Sequence, residues 1–193
     1  AEYLEAAFEE LGGEITGTEF YFDGESDFTS VLSKLQETDA EGLFIASFYN
    51  DGAAINIQRD RLDWDVTVLG PTSLYSPQLI NLGGDAVEGL YTATGFFSED
   101  TDERVQEYVQ AFEAAYGEAP NFHAALAYDA MLLLADAIER AGTTDSEAIR
   151  AALSETESYP GLAGSITFTP DGDAVKGYRK LTIEDGEFVI YEG

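Results

Sequence analysis

The sequence predicts an α/β protein with an open, mostly parallel sheet flanked by helices. Helical stripes and strand-like segments alternate from the first residues to about residue 95. Two of the strand-like segments are short, unbroken apolar runs, as parallel strands buried on both faces require. The hydrophobic content of 45% is sufficient for a core in a chain of 193 residues.

Helices and strands alternate in the amino-terminal half. Apolar residues three and four positions apart indicate helices, whereas β-branched, aromatic or unbroken apolar runs indicate strands. Gly12-Gly13 is expected to end the first helix, and Ser26 or Asp27 to cap the second. The predicted elements are helix 3–11, strand 15–22, helix 28–35, strand 43–46, helix 52–61, strand 66–69 and strand 90–94.

Helices predominate after about residue 95, and the chain then returns to β structure. Pro120 and Gly142 separate the helical stretches. The dipeptide Asp185-Gly186 between alternating residues is a strong hairpin signal. The predicted elements are helices 104–116, 122–140 and 146–153, followed by strands 165–169, 178–183 and 187–191.

The chain is strongly acidic, with 38 acidic against nine basic residues and a formal charge of -29. Such a field repels phosphate backbones and anionic lipid headgroups, so nucleic acid is not an expected partner. The acids are interspersed with apolar residues, which predicts a solvated surface rather than a disordered tail. Two explanations stay open: adaptation to high salt, where screening weakens the repulsion, or an ordinary acidic export product.

The sequence lacks the residues or motifs that several kinds of functional site require. The chain has no cysteine and one histidine, which excludes disulfides and thiolate metal sites. The acidic stretches 60–65 and 171–173 do not fit a calcium loop, and no phosphate-binding glycine loop or Gly-x-Ser-x-Gly elbow is present. We therefore expect no metal, no cofactor and no enzyme, although residue type alone does not exclude a carboxylate-pair hydrolase. No apolar run approaches the ~20 residues of a membrane span.

Six short phrases stand in order along the chain. They are 11–13 (LGG), 27–28 (DF), 48–51 (FYND), 83–89 (GGDAVEG), 127–130 (AYDA) and 164–168 (GSITF) with 171–173 (DGD). Each phrase alone is weak, but their order and spacing resemble the leucine/isoleucine/valine-binding protein family. These are the type I periplasmic receptors of branched-chain amino acid importers. The resemblance covers essentially the whole chain.

The resemblance implies a bilobal type I periplasmic-binding-protein fold with Rossmann-like sheets, present as a carboxy-terminal fragment. Residues 1–95 resemble most of lobe 2 without its first strand, 96–174 the later part of lobe 1, and 175–193 a hairpin returning to lobe 2. Helix faces that the amino-terminal part covers in relatives should then be exposed. We expect that part to be supplied by another polypeptide, lost to proteolysis or replaced by self-association.

The function implied by the resemblance is that of an extracytoplasmic receptor. It would deliver a small amino-acid-like solute to an ABC permease by hinge closure, without covalent chemistry. Its place would be periplasmic or extracellular, after removal of a signal peptide and with or without a lipid anchor in the precursor. The alternative is a ligand-sensing module of a signalling receptor that uses the same closure.

Two predicted loops are candidates for the binding site, because ligands of open α/β sheets lie beyond the carboxyl ends of the strands. One loop follows strand 43–46 and precedes a helix whose free amides suit a carboxylate. The other follows strand 66–69. The candidate residues in these loops are Tyr49, Asn50, Thr72, Ser73 and Tyr75.

The resemblance adds roles for three residues. Tyr49 stands where the family places a ligand-contacting tyrosine, and His123 lies just before a segment where relatives present an aromatic residue to the cleft. Thr72 stands where amino-acid-binding relatives carry Asp or Glu to pair with the ligand ammonium. A neutral hydroxyl cannot neutralise that charge, and an unpaired charge in a closed cleft costs several kcal/mol. Either another acid such as Asp51 compensates, or the solute lacks a free amino group.

Overall fold

The computed structural model describes residues 2–22 and 24–192 and confirms the α/β class. The helices of this part are α1 (Glu2–Glu10), α2 (Thr29–Gln36), α3 (Tyr49–Arg61), α4 (Pro77–Gly83), α5 (Glu103–Tyr116), α6 (Phe122–Ala141) and α7 (Ser146–Ser154). The strands are β1 (Gly42–Phe44), β2 (Thr67–Gly70), β3 (Tyr91–Thr94), β4 (Tyr159–Gly161), β5 (Gly164–Phe168), β6 (Ala174–Val175), β7 (Arg179–Glu184) and β8 (Glu187–Ile190). Two 3-10 turns span Thr72–Leu74 and Gly84–Val87.

The chain divides into two compact units. Unit 2 is Thr94–Arg179, and unit 1 comprises the other described residues. Unit 1 contains a five-stranded sheet in the order β1-β2-β3-β7-β8. Unit 2 contains α5, α6 and α7 together with a three-stranded sheet in the order β4-β5-β6.

The sheet of unit 1 is parallel over its first three strands. Phe44 of β1 lies opposite Leu69 of β2, and Leu69 lies opposite Tyr91 of β3. β7 and β8 form the predicted antiparallel hairpin. Asp185 and Gly186 at its tip both have positive φ, 53° and 77°, as a two-residue type I′ turn requires.

The core of unit 1 lies between the sheet and the helices α3 and α4. The 3-10 turn after β2 contributes Leu74 to this core, and its side chain is wholly buried. Completely or almost completely buried apolar residues in this unit include Phe28, Leu32, Leu74, Leu79, Val87, Leu90, Leu181 and Ile183. The core therefore lies directly beneath the loop that follows β2.

The predicted strand 15–22 is not a strand in the structure. Its residues form no ladder, and they run beside α2 instead. The hydroxyl of Thr16 donates to that of Thr38 at 3.1 Å, and the rings of Tyr21 and Phe28 meet edge to face with centroids 5.1 Å apart. Composition suits a strand here, but pairing needs a neighbouring strand, and the described residues place none beside this segment.

The start of α2 also differs from the prediction. The N-cap position is Phe28, which provides no side-chain cap. Asp27 still contributes, because its carboxylate accepts the backbone N–H of Thr29 at 3.0 Å. Hydrogen bonds from Thr29 hold the pKa of Asp27 below its ordinary value.

Unit 2 is built from well-capped helices. The side chains of Asp102, Asn121 and Asp145 accept backbone N–H groups in the first turns of α5, α6 and α7 respectively. Its apolar core comprises Phe96, Val105, Val109 and Ala125, with Tyr108, Phe122 and Leu162 packed against it. Both α5 and α6 end at a left-handed glycine, Gly117 and Gly142.

Several large apolar side chains are exposed together on each of two helices, α1 and α6. On α1 these are Tyr3, Leu4 and Phe8, and on α6 they are Tyr128, Met131, Leu132 and Leu134. Within residues 2–22 and 24–192, no helix combines the length and apolar character needed to cross a bilayer.

Candidate functional site

The loops after β1 and β2 lie side by side at the carboxyl edge of the parallel sheet. This follows from the pairing of the two strands, in which Phe44 lies opposite Leu69. A hydrogen bond joins the loops directly, because the hydroxyl of Ser73 donates to the backbone oxygen of Ser47 at 2.6 Å. The structure therefore brings together the two loops that carry five of the six candidate residues.

Tyr49 and Asn50 are the first two residues of α3, which begins three residues earlier than predicted. The helix reaches its first backbone hydrogen bond at Gly52, whose N–H donates to the oxygen of Phe48 at 2.9 Å. Phe48 supplies no side-chain cap, so the amides of the first turn are donors without an intrahelical acceptor. Tyr49 is half-buried and Asn50 is exposed at this end of the helix.

Thr72 lies in the 3-10 turn after β2 and is half-buried. Its hydroxyl donates to the backbone oxygen of Ala93 at 2.6 Å. A second bond links the same two segments, from the hydroxyl of Thr92 to the oxygen of Pro71 at 2.9 Å. Since the hydroxyl proton of Thr72 is already used, the oxygen is left with lone pairs, and these can accept an N–H donor.

Ser47 lies beside the candidate residues, and the sequence analysis did not predict it. It is 8% exposed, and its hydroxyl oxygen has no hydrogen-bond partner among the residues that the structure describes. The hydroxyl faces the first turn of α3, because a Cβ placed on Gly52 would lie 3.3 Å from it. A polar residue immediately after the apolar run 43–46 was the available signal.

The same glycine explains how closely α3 approaches the loop after β2. A Cβ on Gly52 would lie 2.6 Å from the side chain of Leu74. Only glycine leaves room for this contact. The helix start and the 3-10 turn are thus held together by packing as well as by the bond between Ser73 and Ser47.

Tyr75 and Asp51 border the two loops. The ring of Tyr75 meets that of Phe188 edge to face, with centroids 5.0 Å apart, and this contact ties the end of the loop to β8. Asp51 is half-buried in the first turn of α3, where its carboxylate accepts the hydroxyl of Tyr21 at 3.3 Å. Asp51 is therefore the acid of the site nearest in sequence to Tyr49 and Asn50.

His123 belongs to unit 2, whereas the other five candidates belong to unit 1. It is exposed in the first turn of α6, and its ring stacks on that of Phe122 with centroids 3.9 Å apart. Asn121 caps the same turn by accepting the N–H of Ala124 at 3.0 Å. His123 is therefore described with unit 2, apart from the five candidates of unit 1.

Unit 2 holds a buried carboxylate of its own. Asp129 is 3% exposed, and it accepts the N–H groups of Leu162 at 2.9 Å and Ala163 at 3.2 Å. These bonds attach α6 to the turn between β4 and β5, so Asp129 has a structural role. Burial lowers the pKa of nearby Lys176, and the negative charge of Asp129 partly opposes this change. Burial raises the pKa of Tyr108, and the charge of Asp129 adds to that change.

The chemistry available around Tyr49 and Thr72 is that of hydrogen bonding. The backbone N–H groups in the first turn of α3 and the side-chain amide of Asn50 are donors. The hydroxyl oxygen of Thr72 and the carboxylate of Asp51 are acceptors. Such a set suits a small molecule that carries both acceptor and donor groups. In the described part of the chain, no group of three or more His, Cys, Asp or Glu residues is placed to hold a metal ion.

Comparison with known proteins gives consistent matches over the whole chain. The model of the family described as "Periplasmic binding protein" matches residues 1–187. The Leu-, Ile-, Val-, Thr- and Ala-binding protein of Pseudomonas aeruginosa is 23% identical over 193 residues, which are 100% of this chain and 48% of that protein. The chain thus spans about half the length of the curated relatives it matches.

Solved structures agree. A leucine-binding protein of Thermotoga maritima has a TM-score of 0.89 and 30% identity, and the match covers 98% of this chain and 54% of that one. The branched-chain amino acid transporter substrate binding protein of Streptococcus pneumoniae, solved with isoleucine, has a TM-score of 0.82 and 26% identity over 97% of this chain and 54% of its own. The resemblance inferred from the six phrases is confirmed, and the chain belongs to the periplasmic binding protein family, within the type I fold of the branched-chain amino acid ABC transporter receptors.

Proposed function

We propose that the protein is an extracytoplasmic receptor that binds a small amino-acid-like solute and delivers it to an ABC importer. One observation carries the proposal. The loops after β1 and β2 are adjacent and bonded to each other through Ser73 and Ser47, so Tyr49 and Thr72 stand at neighbouring strand ends. Ligands of open α/β sheets bind at this position.

The chemistry of the site supports an amino acid or a related carboxylate. The uncapped first turn of α3 presents N–H donors and the positive end of the helix dipole, which favour a carboxylate. The hydroxyl oxygen of Thr72 is an acceptor, because its proton is already donated to the backbone oxygen of Ala93. Asp51 offers the negative charge that Thr72 lacks. The names of the relatives, which refer to leucine, isoleucine, valine, threonine and alanine, agree with this class of solute.

We assign unit 1 to lobe 2 of the family and unit 2 to the later part of lobe 1. In this assignment His123 would contribute from the second lobe, and closure of the lobes would enclose the solute. The rest of the pocket would come from protein outside these 193 residues. The importer's permease would recognise the closed form. No step requires a covalent bond to the solute, so the protein would act as a carrier and not as an enzyme.

The test is to recover the solute. The protein is purified from cells that make it, denatured, and the released small molecules are identified by mass spectrometry. We expect an unmodified amino acid or related carboxylate, at up to one molecule per protein. If none is released, titration calorimetry with L-leucine and L-isoleucine follows. Absence of both released solute and binding heat, or recovery of a chemically altered product, would contradict the proposal.

A further inference from the structure

Charge is divided unevenly between the two units. The stretches that contain unit 1, residues 1–93 and 180–193, carry 22 acidic and four basic residues, a net formal charge of -18. Residues 94–179, which form unit 2, carry 16 acidic and five basic residues, a net formal charge of -11. Because each charge repels every other, the repulsion within a unit grows roughly with the square of its net charge. It is therefore more than twice as large in unit 1 as in unit 2.

The carboxylates of unit 1 lie at its surface. Of the acids whose burial the structure describes, Asp100 and Asp129 are the buried ones, and both belong to unit 2. Asp100 pairs with Arg179 at 2.7 Å, and Asp129 accepts two backbone N–H groups. In unit 1 every acid of this described set is at least partly exposed. Dissolved ions can therefore screen the charge of unit 1.

Unit 2 pairs most of its bases with acids, whereas unit 1 has few bases to pair. In unit 1, Lys34 pairs with Glu19 at 3.1 Å. Arg59 instead donates to the backbone oxygens of Trp64 and Ala86. Four bases could in any case neutralise only four of the 22 carboxylates. The ion pairs described in unit 2 are Arg104–Asp102, Arg140–Asp136, Arg150–Glu147 and Arg179–Asp100.

The positions of the acids along the helices increase the difference. In unit 2, Asp102 and Asp145 cap the starts of α5 and α7, where the helix dipole favours a negative charge. In unit 1, α1 ends with Glu9 and Glu10, and its last turn contains no base. Glu37 is the C-cap residue of α2. Negative charges at the carboxyl end of a helix are unfavourable, so these acids of unit 1 destabilise the helices that carry them.

The spacing of the acids decides how much salt is needed to screen them. Glu5 and Glu9 lie one turn apart on α1, where Cβ atoms are ~5–6 Å from each other. The Debye length is ~10 Å at 0.1 M salt and ~3 Å at 1 M salt. The repulsion between such neighbours therefore acts at 0.1 M and is screened at about 1 M. In unit 2 the same salt also weakens favourable ion pairs and cap interactions, so its effects partly offset each other.

We propose that unit 1 folds stably only at high ionic strength, on the order of 1 M salt, whereas unit 2 also keeps its fold at ~0.1 M. The acidic composition is then an adaptation to high salt and not that of an ordinary acidic export product. The loops after β1 and β2 belong to unit 1, so the candidate site forms only when the charge is screened. Folding requires no solute, and the inference is tested independently of the proposed function.

The test is hydrogen exchange of the full 193-residue chain, followed by mass spectrometry. Peptides 67–74 of unit 1 and 133–141 of unit 2 each contain a wholly buried side chain, Leu74 and Ala137. Their exchange is measured at ~0.1 M and ~2 M KCl at equal pD, each relative to the same peptide of the denatured chain in the same salt. We expect the protection of 67–74 to rise at least about tenfold with salt, and that of 133–141 to change less than about threefold.

Two matched variants test whether charge is the cause. Each replaces four exposed glutamates by glutamine, in one unit only. At ~0.1 M KCl we expect the unit 1 variant to protect 67–74 at least about threefold better than the original chain, and the unit 2 variant to stay within about twofold of it. At ~2 M KCl all three chains should agree within about twofold. The substitutions are Glu9→Gln, Glu10→Gln, Glu37→Gln and Glu41→Gln in unit 1, and Glu107→Gln, Glu113→Gln, Glu118→Gln and Glu139→Gln in unit 2.

Three results would overturn the proposal. Salt could protect both peptides equally, which would mean that it acts on the two units alike, through hydration of apolar surface. The unit 1 variant could respond to salt as steeply as the original chain does, which would exclude repulsion between carboxylates as the cause. Peptide 67–74 could also stay unprotected at ~2 M KCl, which would mean that screening does not suffice to fold unit 1.

Discussion

Two stretches of unit 1 have similar sequence signals but different environments. The amino-terminal 22 residues contain a helical stripe and a strand-like segment, yet most of their apolar side chains are exposed and residues 15–22 form no ladder. From α3 to β3, comparable signals give paired strands and fully buried residues such as Leu74 and Leu79. The difference shows that local composition favours an extended conformation, whereas a paired β-strand also needs a neighbouring strand.

The largest expected effect on the free energy of unfolding comes from comparing the same substitution, leucine to alanine, in the two stretches. Leu74→Ala removes a wholly buried side chain beneath the site, and we expect a loss of about 2–5 kcal/mol in the free energy of unfolding. Leu11→Ala is the matched control at an 87% exposed position, where we expect a change within about 0.5 kcal/mol. Urea denaturation of both variants measures the difference. Similar losses would mean that the amino-terminal stretch is packed after all.

A smaller effect is expected from adding one methyl group. A Cβ on Gly70 of β2 would overlap the side chain of Leu74 and lie 3.2 Å from the backbone oxygen of Ile45. We expect Gly70→Ala to cost about 1–3 kcal/mol through overpacking.

The control for this variant lies on the neighbouring strand. A Cβ on Gly42 of β1 would meet Leu69 at an ordinary 3.5 Å, so Gly42→Ala should change the free energy of unfolding by no more than about 0.5 kcal/mol. Thermal melts of the two variants provide the measurement. A cost at Gly42 equal to that at Gly70 would contradict the looser packing around Gly42.

Sequence reasoning predicted most of the fold because its signals are local. Periodicity located α5, α6 and α7, and Asp185-Gly186 located the hairpin within one or two residues. The strand at 15–22 was wrong because no local signal reports whether a partner strand is present. The start of α3 was placed late because Tyr49 and Asn50 carry no strong capping signal, and the cap position is the apolar Phe48.

The candidate site was predicted in outline and missed in detail. The rule that ligands lie at strand ends led to five candidates, and the structure places them in the adjacent segments that follow β1 and β2: Tyr49, Asn50, Thr72, Ser73 and Tyr75. The bonds that fix these loops could not be foreseen. No local sequence pattern indicates the hydrogen bond between Ser73 and Ser47 or the one between Thr72 and Ala93. Ligand contacts by the six candidates remain predictions.

The most direct measurement of the central claim compares two threonines that make equivalent bonds. Thr72→Val and Thr92→Val each remove one hydroxyl-to-carbonyl bond between the same two segments, so each should cost about 0.5–1.5 kcal/mol of stability. Only Thr72 is assigned to the solute. In the protein purified from its source, titration calorimetry with the recovered solute should show at least a tenfold weaker affinity for Thr72→Val, or about 1.4 kcal/mol, and an affinity within about threefold of the original for Thr92→Val. Equal effects of the two substitutions on affinity, or no effect of either, would contradict a solute site at the ends of β1 and β2.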